Sequence, residues 1–329
     1  MIMKTPARPA VRATRIVTLT LNPALDITTS IDRVRPTEKL RCRPARYDPG
    51  GGGVNVARIA HVLGAPVLAI LAAGGPSGGL VTELLERARV PVDRIPIAEP
   101  TRESFTIDEQ STGGQYRFVL PGPRMTFAEQ VHCLDRLRAA TASAGFVVAS
   151  GSLPPGVPDN YYQRVAEVCR HAGVPLILDT SGGGLRQIRS GVFLLKASVR
   201  ELSECVGRDL VTETDRLTAA HQLIEQRRAA AVVVSLGAEG ALLAAPAGSY
   251  RFSAVRMRGG SGVGAGDAMV AAIAVGLSRG WPLVTSVQWG IAAGAAMLMT
   301  PGTAVCSRSA VENLFALVAE PSEVIGLSA

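Results

Sequence analysis

The sequence predicts an α/β protein: a doubly wound, mostly parallel sheet flanked by helices, with a small β-sheet inserted into it. Three observations carry this. From residue 146 onward, short apolar runs alternate with helix-length segments, the order that right-handed parallel crossovers produce. Hydrophobic residues make up 47% of the chain and aromatic residues only 4%, which suits small-residue helices packed closely on a parallel sheet better than an aromatic-rich β-sandwich. Between residues 27 and 120, several extended runs carry apolar side chains at near-alternating positions and are broken by turn-rich segments, as in a small sheet with one wet face.

Residues 1–14 bear Pro and Arg without the apolar centre of a signal peptide and read as a disordered leader. Residues 15–329 read as one domain, with the small sheet inserted from about 27–48 and 102–121. The run from Arg15 to Leu21 is strand-like and is halted by Asn22-Pro23, after which Ala24-Leu25-Asp26 leads into a second extended run through Ile31. Asp26 thus sits at a strand exit, where ligands gather in open α/β sheets. It reads either as a carboxylate for sugar hydroxyls or as a turn-forming residue.

After the alternating basic residues Lys39, Arg41 and Arg43 comes Asp48-Pro49-Gly50-Gly51-Gly52-Gly53-Val54-Asn55, breaking into a helix that ends near Gly64. Four consecutive glycines cost roughly 0.5–1 kcal/mol each relative to alanine in a regular element, so something must approach this backbone closely. A cradle for an anion or hydroxyl at a helix N-terminus explains the run, with Asn55 supplying a directional amide. The spacing is not GxGxxG and the GxxxxGK[ST] loop is absent, which speaks against a dinucleotide fold and a P-loop.

Further along, Val67–Ala73 reads as a buried strand, residues 79–89 as a helix, and residues 104–108 and 115–120 as a hairpin around Ser111-Thr112-Gly113-Gly114. A sheet this small cannot bury two faces by itself, so one should cover a site or a second copy. Arg102, at the hairpin's entrance, reads equally as a solvated residue or an anion contact. Strands at 146–150, 175–179, 192–196 and 231–236 then alternate with helices at 159–171, from Val199, and at 213–227. Extended runs at 240–245 and 250–256 form an antiparallel edge. Three strand ends carry polar signals, at Ser150-Gly151-Ser152, Lys196 to Glu201 and Ser235 to Gly240, and together they suggest a nucleotide and metal rim.

The stretch Gly259-Gly260-Ser261-Gly262-Val263-Gly264-Ala265-Gly266-Asp267 precedes a small, apolar, helix-compatible run. Its glycines can turn several N–H groups toward one point, and a helix starting there adds its positive end. Asp267 would repel an anion held in that cradle unless it takes a proton from a hydroxyl attacking the anion. The alternative is a glycine turn followed by an acidic N-terminal residue.

The formal charge is +7, yet the basic residues are scattered and rarely alternate with aromatics, which argues against nucleic acid and suits anionic small substrates. Five cysteines without a CxxC pair and four histidines without ligand spacing point to a reduced, cytoplasmic protein without structural zinc. No apolar run reaches membrane-spanning length, so no membrane partner is expected.

These motifs, in this order from Ile16 to about Ser307, resemble the ribokinase-like carbohydrate kinases of the phosphofructokinase B branch, and specifically its minor-type 6-phosphofructokinases. The resemblance implies phosphorylation of fructose 6-phosphate by ATP with magnesium. Asp267 would be the catalytic base, and the amides of Gly264, Ala265 and Gly266 its anion hole. Asp26, Gly51, Gly52, Gly53, Asn55, Arg102 and Ser152 would bind the sugar phosphate. Lys39 and Arg41 would come from the lid, with Lys39 reaching the neighbouring subunit of a homodimer formed through that β-lid. Lys196, Ser198, Ser235, Gly237 and Gly240 match nucleotide positions, and Glu201 the acid that organises magnesium through water. Backbone oxygens near Ser261, Val263, Met297, Thr300 and Gly302 match a potassium site. One position departs: the family has Asn three residues before that Glu, where this chain has Ser198. In the branches acting on fructose 1-phosphate or tagatose 6-phosphate, the third glycine of the run is typically lysine; here it is Gly52.

Overall fold

The computed structural model describes residues 13–257, 262–300 and 304–324. Its first half contains β1 (Ile16–Thr20), β2 (Ala24–Ile31), β3 (Arg46–Gly50), α1 (Gly52–Val62), β4 (Val67–Ala73), α2 (Gly75–Arg87), β5 (Val92–Pro96), β6 (Arg102–Glu109), β7 (Gln115–Val119) and α3 (Phe127–Thr141). There follow β8 (Phe146–Ser150), α4 (Tyr161–Ala172), β9 (Leu176–Asp179), α5 (Gly182–Arg186), β10 (Val192–Ser198), α6 (Val199–Val206), α7 (Glu213–Glu225) and β11 (Ala229–Ser235). The chain closes with β12 (Gly240–Ala245), β13 (Gly248–Ser253), α8 (Ala265–Ser278), α9 (Leu283–Leu298), α10 (Arg308–Phe315) and β14 (Ser322–Glu323).

The large sheet has the order β14-β13-β12-β11-β10-β9-β8-β1-β4-β5. From β5 to β11 all neighbours are parallel, and β12, β13 and β14 add the antiparallel edge expected from the sequence. Side chains alternate across this sheet, and both faces are covered. Ile16, Val67, Val148 and Val233 join one apolar cluster with α1, α8 and α9, while Val17, Ile70, Val147 and Val232 join another with α3, α4 and α7. Helices α8 and α9 are apolar almost all round because both are interior. They approach closely at two glycines: a Cβ on Gly276 would lie 2.7 Å from Ser286 Oγ, and one on Gly290 would lie 2.9 Å from Ile273 Cγ1.

Strand order reverses between β1 and β8: β4 and β5 extend the sheet one way from β1, and β8 to β11 the other. A crevice at the carboxyl ends of these two strands follows from that reversal. Beside it lies a second sheet of order β3-β2-β6-β7, in which β2 and β6 run parallel and both outer pairs antiparallel.

Several local expectations shift. Asp26 is the third residue of β2, in the small sheet, instead of the exit of a large-sheet strand. Asp48-Pro49-Gly50 closes β3, while residues 32–45 are loop. Helix α2 starts at Gly75, with a proline in its first turn where the missing N–H is harmless. Strands β5 and β14 and helices α3, α9 and α10 were not read from the sequence; α9 lacks an amphipathic signal because it is buried on all sides. The leader's residues 1–12 lie outside the described residues. No helix among the described residues is long and apolar enough to cross a membrane.

Candidate active site

A cleft of about 420 Å³ opens at the reversal point. The small sheet supplies one wall through Asp26, Arg102, Ser104, Arg117 and Val119. The start of α1 brings Gly51, Gly52 and Asn55, and the ends of β8 and β9 bring Ser150, Ser152 and Asp179. Lys196 and Glu201 stand at the far end, and Gly264, Gly266 and Asp267 form the floor.

Helix α8 begins there because Gly264 turns the chain with φ 75°, a left-handed conformation that suits glycine. Ala268 N–H donates to Gly264 O at 2.9 Å, which places the amides of Gly266 and Asp267 in the first turn of the helix. Gly264 and Gly266 line the cleft; Ala265 does not, and its N–H donates to Gly262 O at 3.3 Å. A Cβ on Gly266 would sit 3.0 Å from Lys196 Nζ, which places that ammonium beside the helix start.

Asp267 accepts a hydrogen bond from Asn55 Nδ2 at 2.9 Å. The orientation of that amide has its own support, since Arg58 Nη1 donates to Pro49 O at 2.8 Å and reaches Asn55 Oδ1 at 3.5 Å, while Arg58 and Asp48 are paired at 3.6 Å. Burial, then the nearby Asp179 carboxylate, pushes Asp267 up to about 7; Asn55 and Lys196 pull the other way. Burial also raises Asp26, to about 6, against the pull of Arg102, Arg117 and Arg58. Across the cleft, Lys196 Nζ donates to Asp179 Oδ1 at 3.1 Å. Burial raises Asp179 above the usual carboxylate range; it would lower Lys196, but the Asp179 and Glu201 carboxylates outweigh it and hold the ammonium protonated.

The glycine run packs closely against other parts of the chain. A Cβ on Gly50 would strike the Asp26 carboxylate, one on Gly52 would strike Ser150 Oγ, and one on Gly53 would strike Thr20 Oγ1. Gly51 adopts φ 103° with Pro23 Cα 2.9 Å from where its Cβ would be. The protein's own chain thus approaches the run closely, through β1, β2, the end of β8 and the Pro23 turn; of its glycines Gly51 and Gly52 also line the cleft, and Gly53 does not.

Other expected residues are distributed along the same rim or away from it. Ser152 lines the cleft and accepts from Asn22 Nδ2 at 3.2 Å. Ser198 caps α6 in a reciprocal box: its N–H and Oγ both donate to Glu201 Oε2 at 2.8 Å, and Glu201 N–H donates back at 3.3 Å. The shorter residue therefore fixes Glu201 on the cleft wall. Ser235, in register with Ser198, and Gly237 and Gly240 lie further along the rim, off the cleft. Lys39 and Arg41 are on the 32–45 loop, outside the cleft of a single chain. Of the potassium expectation, Ser261 and Gly302 lie outside the described residues. Val263 and Met297 meet at a small neighbouring pocket, and Met297 O already accepts from Thr300 N at 3.0 Å and Thr300 Oγ1 at 2.7 Å.

The model of the "pfkB family carbohydrate kinase" matches residues 19–310. This chain is a member of the pfkB family. The kinase is 67% identical over 310 residues to the "ATP-dependent 6-phosphofructokinase isozyme 2" of Mycobacterium tuberculosis, covering 94% of this chain and 91% of that protein. Its fold matches Escherichia coli phosphofructokinase-2 solved with fructose-6-phosphate, with TM-score 0.86 and 33% identity over 93% of this chain and 99% of that one. The same E. coli protein solved with potassium matches with TM-score 0.88 and 35% identity over 92% and 99%.

Four polar residues of this pfkB kinase escaped the sequence reading: Asp179, Arg117, Arg58 and Asp48. Asp179 ends a strand adjacent to that of Lys196 and was visible as a carboxylate after an apolar run. Arg117 carried a signal too, because alternation along β7 puts it and Val119 on the face opposite Tyr116 and Phe118. The Asp48–Arg58 pair joins a strand to a helix and left no local mark.

Proposed function

We propose that this chain is an ATP-dependent 6-phosphofructokinase, moving the terminal phosphoryl group of ATP to the 1-hydroxyl of fructose 6-phosphate in direct in-line transfer. The observation that carries the reading is the position of Asp267: at the start of α8, held by Asn55, between an arginine-bearing wall and the Lys196 end of the cleft. Such transfer needs little covalent help, so the protein acts chiefly by placing groups and balancing charge. Asp267 orients the attacking hydroxyl and takes its proton, and a carboxyl near 7 is a better base than an ordinary one. The glycine amides and Lys196 meet the charge on the transferring group. Asp26 receives sugar hydroxyls and Arg102 and Arg117 the sugar's own phosphate, joined by Lys39 and Arg41 from the loop. Magnesium, arriving with the nucleotide, would neutralise phosphate charge; Glu201, whose Oε1 takes no part in the cap, and Asp179 are the carboxylates present to orient its water shell. The potassium expectation extends to the segment around Val263 and Thr300.

The family resemblance makes Gly52 a mark of this substrate, since the branches acting on fructose 1-phosphate or tagatose 6-phosphate typically carry lysine there; in this chain any side chain at Gly52 would meet Ser150 Oγ. The small sheet is proposed as a lid and as the face of a homodimer. Tyr47, Ile27, Phe105 and Phe118 lie in one cross-strand row, and Phe118 is 52% exposed. We place the protein in the cytoplasm, with ATP and fructose 6-phosphate.

A coupled ADP-release assay over fructose 6-phosphate, tagatose 6-phosphate, fructose 1-phosphate and free fructose tests the reading. The highest kcat/KM is expected for fructose 6-phosphate. A clear preference for another member would move the assignment to that sugar, and no turnover with any would leave a sugar-phosphate sensor.

A further inference from the structure

Glu109 is a buried carboxylate at the end of β6, outside the cleft, where its burial would be costly without partners. Three donors converge on it. Val34 N–H donates to Oε1 at 2.7 Å, Thr112 Oγ1 to Oε2 at 2.5 Å, and Tyr116 OH to Oε2 at 3.4 Å. These donors come from three separate segments: the loop after β2, the hairpin turn, and β7. The Thr112 bond first, then that of Val34, holds the carboxyl below its usual range.

The geometry at the other end of the same loop completes the picture. Arg43 N–H donates to Ser30 O at 2.9 Å, and Thr29 Oγ1 to Arg43 O at 2.7 Å. The loop is therefore pinned at Val34 by Glu109 and at Arg43 by β2. Only residues 35–42 lie between the pins, and Lys39 and Arg41 are among them. The pin at Arg43 is made by the neighbouring strand. The pin at Val34 depends on one side chain; the next hold on that side is backbone, where Ser111 N–H donates to Asp32 O at 2.9 Å.

We propose that Glu109 is a positioning residue of the substrate site, restricting the loop so that Lys39 and Arg41 are held ready for the sugar phosphate. The inference rests on the reading of that loop as a substrate contact. Without the pin, residues 33 and 34 join the free segment and their backbone must be ordered when substrate binds, so the loss falls on affinity for the sugar phosphate. ATP binding and chemistry at Asp267 do not pass through the loop.

The test uses the full-length enzyme with Glu109→Ala, Glu109→Gln and, as a control, Lys39→Ala. Glu109→Ala is expected to raise KM for fructose 6-phosphate by roughly tenfold, with kcat and KM for ATP within about twofold. Glu109→Gln keeps a carbonyl acceptor and should fall between Ala and wild type. Amide hydrogen exchange should quicken over residues 33–42 in Glu109→Ala and stay unchanged across the large sheet. Unaltered exchange in that loop, equal losses in kcat and both KM values, or loss of the wild-type oligomeric state by light scattering would each overturn the proposal. Lys39→Ala separates the two readings: an unchanged KM for fructose 6-phosphate in that variant removes the loop from the substrate site, and the proposal with it. A raised KM there, with Glu109→Ala silent, rejects Glu109 alone.

Discussion

Asn55 Nδ2 donates to Asp267 Oδ2 at 2.9 Å, tying the start of α1 to the start of α8. One oxygen of the carboxylate is thereby fixed, which sets the direction of the other. The interaction also ties the two glycine-rich segments of the chain into a single site.

Asp267→Asn is expected to lower turnover by roughly 10²–10⁴-fold while leaving nucleotide binding nearly intact, the range for a lost general base. Steady-state assays with titration calorimetry for ATP check this. Turnover within a few-fold of wild type would show that the carboxylate is not the base.

The raised Asp267 value also predicts two pH effects. Only the ionised carboxylate accepts a proton, so kcat/KM should rise with pH and level off above about 7, a limb that is missing in Asp267→Asn. Stability runs the other way. Because the folded value of about 7 exceeds the ordinary 3.8, the protonated acid's contribution is complete below 3.8 and is lost as pH rises through 7. Asp267→Asn should then melt higher than wild type at pH 8, and the gap should narrow toward pH 5. A flat wild-type profile together with equal melting differences at both pH values would contradict the buried carboxylate.

Gly53→Ala should damage the fold more than the site. The new Cβ would meet Thr20 Oγ1 and lie 2.8 Å from Leu19 O, and a strand carbonyl cannot step aside cheaply. A loss of roughly 1–3 kcal/mol is expected, read as a lower Tm. A variant with wild-type Tm but a raised KM for the sugar phosphate would return Gly53 to the ligand.

Phe118→Glu puts a charge into the exposed end of the apolar row on the small sheet. The expected product is a monomer with weakened activity and an unaltered ATP affinity, seen by light scattering at assay concentration. A fully active monomer would leave the small sheet as a simple cover.

The large sheet was legible because its strands are short, apolar runs that end in polar residues, and each such end proved to be a carboxyl terminus on one rim. Asp267 and Asn55 could be picked out because glycine runs mark the helix starts beside them, whereas Lys196, read as a strand end, lies two residues inside β10, which continues to Ser198. The glycine run was legible as a close approach, but the approaching atoms were not, since Ser150 and Thr20 reach it only through parallel pairing across the sheet. The 3.3 Å bond from Ala265 N–H to Gly262 O, at the turn into α8, is a detail that no pattern of residue types encodes. Arg58 meets Asp48 and Pro49 only because β3 and α1 fold together, and Glu109 meets Val34 from 75 residues away; local propensity carries no information on either contact.

The parallel pairing of β2 with β6 bears on how the protein folds. Parallel neighbours need a crossover, and here the intervening chain holds β3, α1, β4, α2 and β5. The cleft wall made by β2 and β6 therefore cannot form as a local hairpin; it waits until the first part of the large sheet is in place. Such long-range closure is slow, so the wall holding Asp26 and Arg102 is among the late structures to form during refolding. Defects in residues 67–96, which do not line the cleft, should surface as chains in which the β4–β5 edge of the large sheet and the wall holding Asp26 and Arg102 both fail to form, while β8 to β11 still pair.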